Sequence, residues 1–520
     1  MTEGHTERLE AALDGKYRIE REDRQRRRSM KARVLGALIG LVLCVATATD
    51  GQISDHPSVV SNTGLVEAWL GAQMAYRGLP GVSVAIVHDQ ELVYTRGFGY
   101  ADVEARTPAS PSTIYRIASH SKLFTAISIM QLRDAGELSL DDPISEHLLW
   151  FNIQNPYADT LPVTIRHLLT HTSGLPREAG SGYWVDDFDF PSLGEVRERL
   201  VGQAMVYPPA TRWKYSNLAW ALAGEIVATV SGQTFDQYVE EHILDPLGMQ
   251  STSVVLPDEH QDRMAVGYGR RMPDGSRARF PFVDAVGMAA AAGVSSTVED
   301  MARFISWQFR LRERGGSEVL EATTLHEMQR VQWLEPDWDQ AWGLGFQIFH
   351  TEDRNLIGHG GGYPGYLTAT HISPSENVGV VVFTNALDAE PSLGSLRSIS
   401  QRIFEWVAPA ISRAAAGEAV EPPDPSWDRL TGSYRSHWGD VHVLPLDGKL
   451  VMIDPVSVDP KAGAFTLVPV SGDTFRLEGG GGHPGGRGEL VTFETGLDGM
   501  AESVTVGYLR YDRVTYSPSN

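Results

Sequence analysis

Cysteine is nearly absent from this sequence. Its single cysteine, Cys44, lies inside an apolar run near the amino terminus. The rest of the chain therefore has no thiol nucleophile, no cysteine metal site and no disulfide, and we do not expect redox chemistry. The composition is otherwise that of a globular protein, since the 520 residues are 42% hydrophobic and 21% charged. This length suggests two or three domains with a sizeable core.

Positive charge is also in deficit. The formal net charge is −22 at pH 7, and no basic stripe with interleaved aromatic residues is visible. Because such an acidic chain repels phosphate backbones, nucleic-acid binding is not expected.

Lysine is especially scarce, although arginine is used freely. Residues 32–448 contain only two lysines, Lys122 and Lys214. Arginine stays protonated in proteins, whereas the amine of lysine can become neutral. A lysine retained in an arginine-rich chain therefore suggests a base. Lys122 follows Ser119 by three residues and Lys214 directly precedes Tyr215, so both mark places where a serine hydrolase could be built.

Long hydrophobic runs are missing as well. The apolar run at 34–46 is short for a membrane span, which needs about 17 to 25 residues. Basic residues precede it, and Ala-Thr-Ala at 46–48 fits a small-x-small cleavage site. We therefore predict that 1–48 is an N-terminal extension and signal peptide, with Met30 as the start of a compact leader. The protein would be exported to the periplasm or medium, or anchored to a membrane through 34–48 if uncleaved.

The pattern of apolar residues predicts an α+β body over residues 58–412. Two β-branched runs, 82–87 and 92–94, are typical of a hairpin, and further strands are expected at 366–372 and 378–383. Because these strands come early and late with helices between them, we expect one antiparallel sheet whose first and last strands meet.

Helices are expected between these strands. Helical spacing from Ser119 to a stop at Gly136 predicts a buried helix with Ser119 on its first turn. Others are expected at 218–230 and at 296–309, the second opened by a capping box at Ser296.

The carboxyl-terminal part has a different composition. Residues 413–426 are rich in Ala, Glu and Pro, which is typical of a linker. Residues 427–516 contain short alternating strands, such as 441–444 and 505–509, separated by Gly-rich turns. This pattern predicts a small, separate β-barrel-like domain.

Ser119 and Lys122 can form a nucleophile and its base. On a helix, the i to i+3 spacing places hydroxyl and amine on one face, and the amino end of the helix favours negative charge on the serine oxygen. Burial and the helix dipole would lower the pKa of the amine, so that it could take the serine proton. Alone, Ser-x-x-Lys also fits an ordinary helix start.

Two further segments carry groups suited to this chemistry. Tyr215 can relay a proton to a leaving group, and Asn217 offers an amide that can hold the lysine and an acyl chain. In His-Gly-Gly-Gly at 359–362, a glycine N–H can pair with that of Ser119 as an oxyanion hole. Taken alone, the first segment also fits a helix-capping turn and the second a hairpin or bulge. Lys214 is either a second cation of the site or a solvated side chain.

Two other patterns are discounted. His167 and His171 stand at i and i+4 and could ligate zinc, but no third ligand is evident, so we predict a structural role and no metal. The sequence also has no Gly-x-Ser-x-Gly elbow, which argues against an α/β-hydrolase.

Three motifs, in this order and at wide separations, resemble those of the serine β-lactamase and penicillin-binding protein superfamily. They are Ser119-x-x-Lys122, Tyr215-x-Asn217 and His359-x-Gly361, with similar supporting segments at 165–176, 246–249 and 292–297. The resemblance covers roughly residues 60–405 and is to the branch of class C β-lactamases, D-aminopeptidases and related esterases.

This resemblance implies a fold and a set of roles. The fold is an antiparallel sheet flanked by helices plus an all-α region, followed by a lipocalin-like domain. No metal or organic cofactor is required. The implied roles are Ser119 as acylated nucleophile, Lys122 as base, Tyr215 as proton relay, the N–H groups of Ser119 and Gly362 as oxyanion hole, and Asn217, His359 and Gly361 as substrate-binding residues.

The third motif departs from the family pattern. β-Lactamases and transpeptidases usually have lysine where this chain has His359, and a mostly neutral imidazole holds a substrate carboxylate less firmly. We therefore expect an exported serine hydrolase acting through an acyl-enzyme on an amide or ester, of D-amino-acid peptidase or esterase type. The alternatives are a penicillin-binding or cell-wall-peptide-binding sensor without turnover, and a weak β-lactamase. The expected partner is a small-molecule, peptide or ester substrate.

Overall fold

The computed structural model describes residues 52–516 apart from 158, 181, 186, 339–340, 352–353, 389–395 and 481–485. The predicted N-terminal extension and signal peptide, 1–48, lies outside these residues. Within the described part of the chain, no helix combines the length and apolar character needed to span a bilayer.

An antiparallel sheet organises the first part of the described chain. In chain order, the strands are β1 (Gly81–His88), β2 (Glu91–Asp102), β3 (Thr107–Pro108), β4 (Tyr115–Arg116), β5 (Gly267–Tyr268), β6 (Arg279–Phe280), β7 (Ser295–Ser296), β8 (Ser317–Glu318), β9 (Leu320–Glu321), β10 (Trp333–Leu334), β11 (Ala341–Trp342), β12 (Gln347–His350), β13 (Asn355–Tyr363), β14 (Tyr366–Ser373) and β15 (Val378–Thr384). The main sheet has the order β10-β11-β12-β13-β14-β15-β1-β2-β3. β1 pairs with β15 from Val82↔Thr384 to His88↔Val378, so the early and late strands meet as predicted.

Helices cover both faces of this sheet. In chain order, they are α1 (Pro57–Arg77), α2 (Ser121–Asp134), α3 (Ile144–His147), α4 (Ile165–Leu169), α5 (Leu193–Val201), α6 (Asn217–Ser231), α7 (Phe235–Val239), α8 (Asp245–Leu247), α9 (Ala289–Ala292), α10 (Val298–Arg314), α11 (Ala322–Met328) and α12 (Leu396–Ala415). Side chains alternate along β1, so Ala85 and Val87 join the core around α2 and α6, while Val84 and Ile86 join a second core with α1 and α12. The predicted α+β class, with a flanked antiparallel sheet and an all-α region, is confirmed.

Two helix starts differ from the prediction. Ser119 does not lie on the first α-helical turn but in a 3₁₀ helix, Ala118–His120, that leads directly into α2. The cap of α10 is Thr297 rather than Ser296, because the Thr297 hydroxyl accepts the N–H of Asp300 at 3.1 Å. Ser296 belongs to β7, and its hydroxyl bonds that of Thr252 instead.

A closed eight-stranded barrel follows, which confirms the predicted barrel-like domain. Its strands are β16 (Gly432–Ser436), β17 (Gly439–Leu446), β18 (Lys449–Ile453), β19 (Phe465–Ser471), β20 (Thr474–Gly479), β21 (Leu490–Thr495), β22 (Ala501–Val506) and β23 (Leu509–Val514). The single strand predicted at 505–509 is wrong. A turn at Gly507, with φ of 60°, divides this segment between β22 and β23.

The barrel packs against α1 and α12. Leu444, Leu446, Val451 and Ile453 of the barrel belong to the same buried cluster as residues of these two helices. Polar contacts reinforce this packing, since the Trp69 indole donates to the Ser457 carbonyl at 3.0 Å. The barrel therefore completes the core on the α1 face of the sheet, while the candidate site lies on the other face.

Candidate active site

Ser119 lies on a tight turn beneath the sheet. Ala118 is fully buried with φ of 52°, a left-handed conformation that is uncommon for alanine. β13 crosses directly over this turn. A Cβ added at Gly361 would lie 2.5 Å from the Ile117 carbonyl oxygen and 2.2 Å from Thr368 Oγ1, so only glycine fits there.

His120 fixes the turn from below. Its Nδ1 lies 3.1 Å from Thr368 Oγ1 and its Nε2 lies 3.2 Å from Thr370 Oγ1, both on β14. Burial lowers the pKa of His120 to about 4, so the ring is neutral. Its role is structural, because its hydrogen bonds connect the turn to β14.

Lys122 is fully buried and points at the serine. Its Nζ lies 3.0 Å from Ser119 Oγ, 2.9 Å from Asn217 Oδ1 and 2.7 Å from the Ala291 carbonyl oxygen. Burial lowers the pKa of this amine well below its ordinary value, and Arg177 also lowers it, while Glu178 raises it. The environment therefore favours a neutral amine within reach of the hydroxyl.

Tyr215 approaches the same oxygen from the loop before α6. Its hydroxyl donates to Ser119 Oγ at 2.8 Å. His171 stacks on the Tyr215 ring with centroids 4.2 Å apart, and the Arg177 guanidinium carbon lies 4.9 Å from the ring centroid. Ser119 Oγ thus lies between an amine and a phenol.

Asn217 begins α6 and links Lys122 to a residue that the sequence analysis missed. While its Oδ1 faces Lys122, its Nδ2 donates to Glu178 Oε1 at 2.7 Å. The Tyr183 hydroxyl donates to the other Glu178 oxygen at 2.6 Å. The only available signal for Glu178 is its position two residues after the motif-like segment 165–176.

The two histidines considered as zinc ligands are used otherwise. His171 Nδ1 faces the N–H of Ser216 at 3.1 Å, and its Nε2 faces the indole N–H of Trp220 at 3.2 Å. His167 Nδ1 faces the N–H of Thr164 in the cap of α4. Among the described residues, no group of three or more His, Cys, Asp or Glu could hold a metal ion.

The third motif runs along β13 beside Ser119. His359 is 3% exposed, and its Nδ1 lies 2.6 Å from the Gly360 carbonyl oxygen. Because a carbonyl can only accept, Nδ1 carries a proton. Gly362 borders open space, since an added Cβ would find only Leu367 Cδ2, 3.6 Å away.

Ser119, Tyr215, Asn217 and residues 359–362 line a cavity of about 1360 Å³. The lining also includes aromatic and aliphatic side chains and the cationic side chains of Lys214 and Arg270. The apolar lining comprises Trp184, Phe188, Trp213, Trp342, Tyr363, Pro364, Leu367, Leu387 and Leu396. The structure thus brings Ser119, Tyr215, Asn217, His359, Gly361 and Gly362 together at one cavity, with the buried Lys122 in contact with Ser119 and Asn217.

The family model described as Beta-lactamase matches residues 66–398. Protein flp of Staphylococcus aureus (strain MW2) is 29% identical over 309 residues, 59% of this chain and 60% of that protein. Beta-lactamase-like protein 2 of Dictyostelium discoideum is 33% identical over 288 residues, 54% of this chain and 51% of that protein. This chain therefore spans about half to three fifths of the length of these curated relatives.

Solved structures show the same likeness. The octameric penicillin-binding protein homologue from Pyrococcus abyssi has a TM-score of 0.58 and 27% identity, covering 86% of this chain and 99% of that one. The β-lactamase/D-alanine carboxypeptidase from Yersinia pestis, complexed with citrate, has a TM-score of 0.56 and 24% identity, covering 68% and 99%. The second likeness concerns the fold alone.

Proposed function

Because this chain belongs to the β-lactamase family, we propose that it is a serine hydrolase that forms an acyl-enzyme on Ser119 and acts on peptide-like amides or esters. One observation carries the proposal. Ser119 Oγ lies 3.0 Å from a buried amine and 2.8 Å from a phenol, which is the geometry of an activated nucleophile.

The contacts of Lys122 fit a base. A neutral amine has two N–H groups and one lone pair. The Asn217 and Ala291 carbonyl oxygens can only accept, so they take the two N–H groups. The lone pair is then left for the Ser119 hydroxyl proton, while Ser119 Oγ accepts from Tyr215.

Acylation follows from this arrangement. Ser119 Oγ forms a bond to the substrate carbonyl carbon as its proton passes to Lys122. The oxyanion takes N–H groups of Ser119 and Gly362, which border the cavity. The bond to the leaving nitrogen or oxygen breaks as Tyr215 donates a proton to it, and the Lys122 proton restores the phenol. Water then cleaves the acyl-enzyme by the same groups in reverse order.

The third motif supports amides and esters over penicillins. His359 is buried, and its Nδ1 is directed at a backbone carbonyl. It therefore binds a substrate carboxylate less strongly than a lysine ammonium would. The apolar lining of the cavity suits an acyl or leaving group with hydrophobic parts. Export of the enzyme is part of the proposal and depends on the sequence pattern of residues 1–48.

The test uses a fluorophosphonate probe and a p-nitrophenyl ester. We expect Ser119 to be labelled, and Ser119→Ala to lose both label and turnover. Ser317→Ala, at an exposed surface serine, is the control and should retain both. A chromogenic cephalosporin should be cleaved slowly. Stable labelling without ester turnover would indicate a non-hydrolysing sensor, and turnover by Ser119→Ala would refute the proposal.

A further inference from the structure

The charges lining the cavity differ from those of the whole chain. The chain has a formal charge of −22. Among the described residues that line the cavity, however, three side chains are cationic, Arg177, Lys214 and Arg270, and two are carboxylates, Glu178 and Asp388. Both carboxylates are engaged by the protein itself. Glu178 accepts from Asn217 and Tyr183, and Asp388 accepts from the Arg277 guanidinium and the Arg271 N–H.

Lys214 lies at the cavity wall, where the Arg177 and Glu178 charges both act on its ammonium. Its side chain is half-buried, and its Nζ donates to the Tyr215 carbonyl oxygen at 3.3 Å. No carboxylate forms an ion pair with it among the described residues. The short stretch from Trp213 to Tyr215 is fixed, because the Trp213 N–H donates to Glu335 at 2.7 Å and Trp213 stacks on Trp342. The backbone that carries Lys214 is therefore held at the cavity wall.

Arg177 brings a second positive charge to the same wall. Its carbonyl oxygen accepts the first N–H groups of α6, from Asn217 at 2.7 Å and Leu218 at 3.1 Å, which fixes its backbone. Its guanidinium lies over Tyr215, its side chain is 60% exposed, and the residue lines the cavity. Its ion pair with Glu178 is 3.3 Å long and uses an oxygen that Asn217 already contacts. The positive charges of Arg177 and Lys214 therefore lie near each other, and such a pair can bind an anionic group of a ligand.

We propose that Lys214 and Arg177 form an anion-binding subsite beside Tyr215, and that the preferred amide or ester carries a carboxylate. This inference rests on the proposed function, because it places the carboxylate relative to the reacting bond. It also fits the substitution at His359. Where related enzymes have a lysine in the third motif, this chain has a buried imidazole, and the two cations proposed here lie beside Tyr215 instead.

The test compares matched neutral and anionic esters. For the acyl half, the pair is p-nitrophenyl hexanoate and the p-nitrophenyl hemiester of adipic acid. For the leaving group, the pair is 3-acetoxybenzamide and 3-acetoxybenzoate. The readout is the ratio of kcat/KM for the anionic ester to that for the neutral ester. We expect the wild-type ratio to exceed one in at least one pair, and the pair that responds assigns the carboxylate to that half of the substrate.

Variants of Lys214 then test the cause. Lys214→Met should lower the ratio by about 5- to 10-fold relative to the wild type, because it removes the charge. Lys214→Glu should lower the ratio further. Lys214→Arg, which keeps the charge, should have a ratio near that of the wild type. Arg212→Met is the matched control, because Arg212 is exposed two residues away and lies over Tyr207 outside the cavity lining. Its ratio should equal that of the wild type.

The outcomes separate this inference from the proposed function. If the neutral esters are hydrolysed in a Ser119-dependent way but neither ratio responds to Lys214, the hydrolase stands and the anion subsite is wrong. If no ester is hydrolysed and Ser119 is not labelled, both are wrong. A ratio that falls equally in Arg212→Met would show a general surface-charge effect and would also overturn the subsite.

Discussion

At the residue scale, the proposed chemistry depends on removing a charge from Lys122. The amine is fully buried, and burial lowers its pKa. This effect is larger than the effects of the neighbouring Glu178 and Arg177 charges. The three oxygen contacts of Nζ suit either protonation state, since an ammonium donates three hydrogen bonds and an amine donates two and accepts one. Proton transfer therefore needs no movement of the side chain.

Replacing Lys122 with arginine tests whether a neutral base is required. Lys122→Arg keeps a hydrogen-bond donor but stays protonated, so we expect ester turnover to fall by about 10²- to 10⁴-fold. The measurement is kcat/KM on p-nitrophenyl hexanoate, with circular dichroism to verify folding. Nearly normal turnover by a folded Lys122→Arg would contradict the assignment of the base.

Glu178 should tune the same amine. Its carboxylate raises the pKa of Lys122 against the larger effect of burial. Glu178→Gln keeps a contact for Asn217 but removes the charge, so the ammonium is less favoured and the pKa falls further. The acidic limb of the kcat/KM profile should therefore move to lower pH. Glu198→Gln, an exposed carboxylate on α5, is the control and should leave the profile in place.

The sequence could predict Ser119, Lys122, Tyr215 and Asn217 because each pair is closely spaced and the ordered set of motifs resembles a known family, although each motif alone also fits ordinary structure. It could not identify the Ala291 carbonyl, since every residue has one and only the packing of α9 brings it to Lys122. A carboxylate such as Glu178 is equally ambiguous in a chain with 66 acidic residues.

At the scale of elements, the site is assembled where β13 passes over the Ser119 turn. Gly361 pairs with Thr368 in the β13–β14 ladder, and the Thr368 hydroxyl donates to the Ile117 carbonyl at 3.1 Å. His120 bonds the same threonine. A sheet strand and a turn more than 200 residues apart in sequence therefore share one set of hydrogen bonds.

This close approach predicts unequal effects of two neighbouring alanines. Gly361→Ala places a Cβ within 2.5 Å of the Ile117 oxygen, so β13 must shift, at a cost of about 1–3 kcal/mol. Gly362→Ala meets only Leu367 Cδ2 at 3.6 Å and should leave stability nearly unchanged. Urea unfolding of both variants provides the measurement, and equal midpoints would contradict this packing.

Element types could be predicted better than their ends. The 82–94 hairpin and the late strands follow from β-branched runs that pack on both faces of the sheet. The start of α10 was misplaced by one residue because Ser296 and Thr297 are both good caps, and only the pairing of β7 with β4 assigns Ser296 to a strand. The turn at Gly507 was missed because the apolar pattern continues through it.

At the scale of the whole molecule, a network of charges holds the barrel on α1. Asp447 of the barrel accepts from Asn62 of α1 at 3.1 Å and from Arg413 of α12 at 2.6 Å, and lies 3.4 Å from Lys461. Burial raises the pKa of Asp447, but Lys461 and Arg413 outweigh this effect and hold it below its ordinary value.

Asp447→Asn should therefore destabilise the protein in a pH-dependent way. A carboxyl whose pKa is lower when folded stabilises the fold above its unfolded pKa of about 3.9, and this stabilisation is lost as pH falls through the folded value. We expect the variant to be less stable by about 1–2 kcal/mol at pH 7, with the difference shrinking below about pH 4. Asp428→Asn, at an exposed position, is the control for urea unfolding measured across this range.

The shared cluster of barrel, α1 and α12 also has a practical meaning. Trp69 of α1 is completely enclosed, with the Trp406 ring 5.0 Å away and its indole N–H on a barrel carbonyl. Cutting the chain after Ala415 to obtain a minimal catalyst would remove the barrel. The apolar surface of α1 and α12 that the barrel now covers would then be exposed to solvent. A shortened chain would therefore first need polar residues on the surfaces of both helices that now contact the barrel.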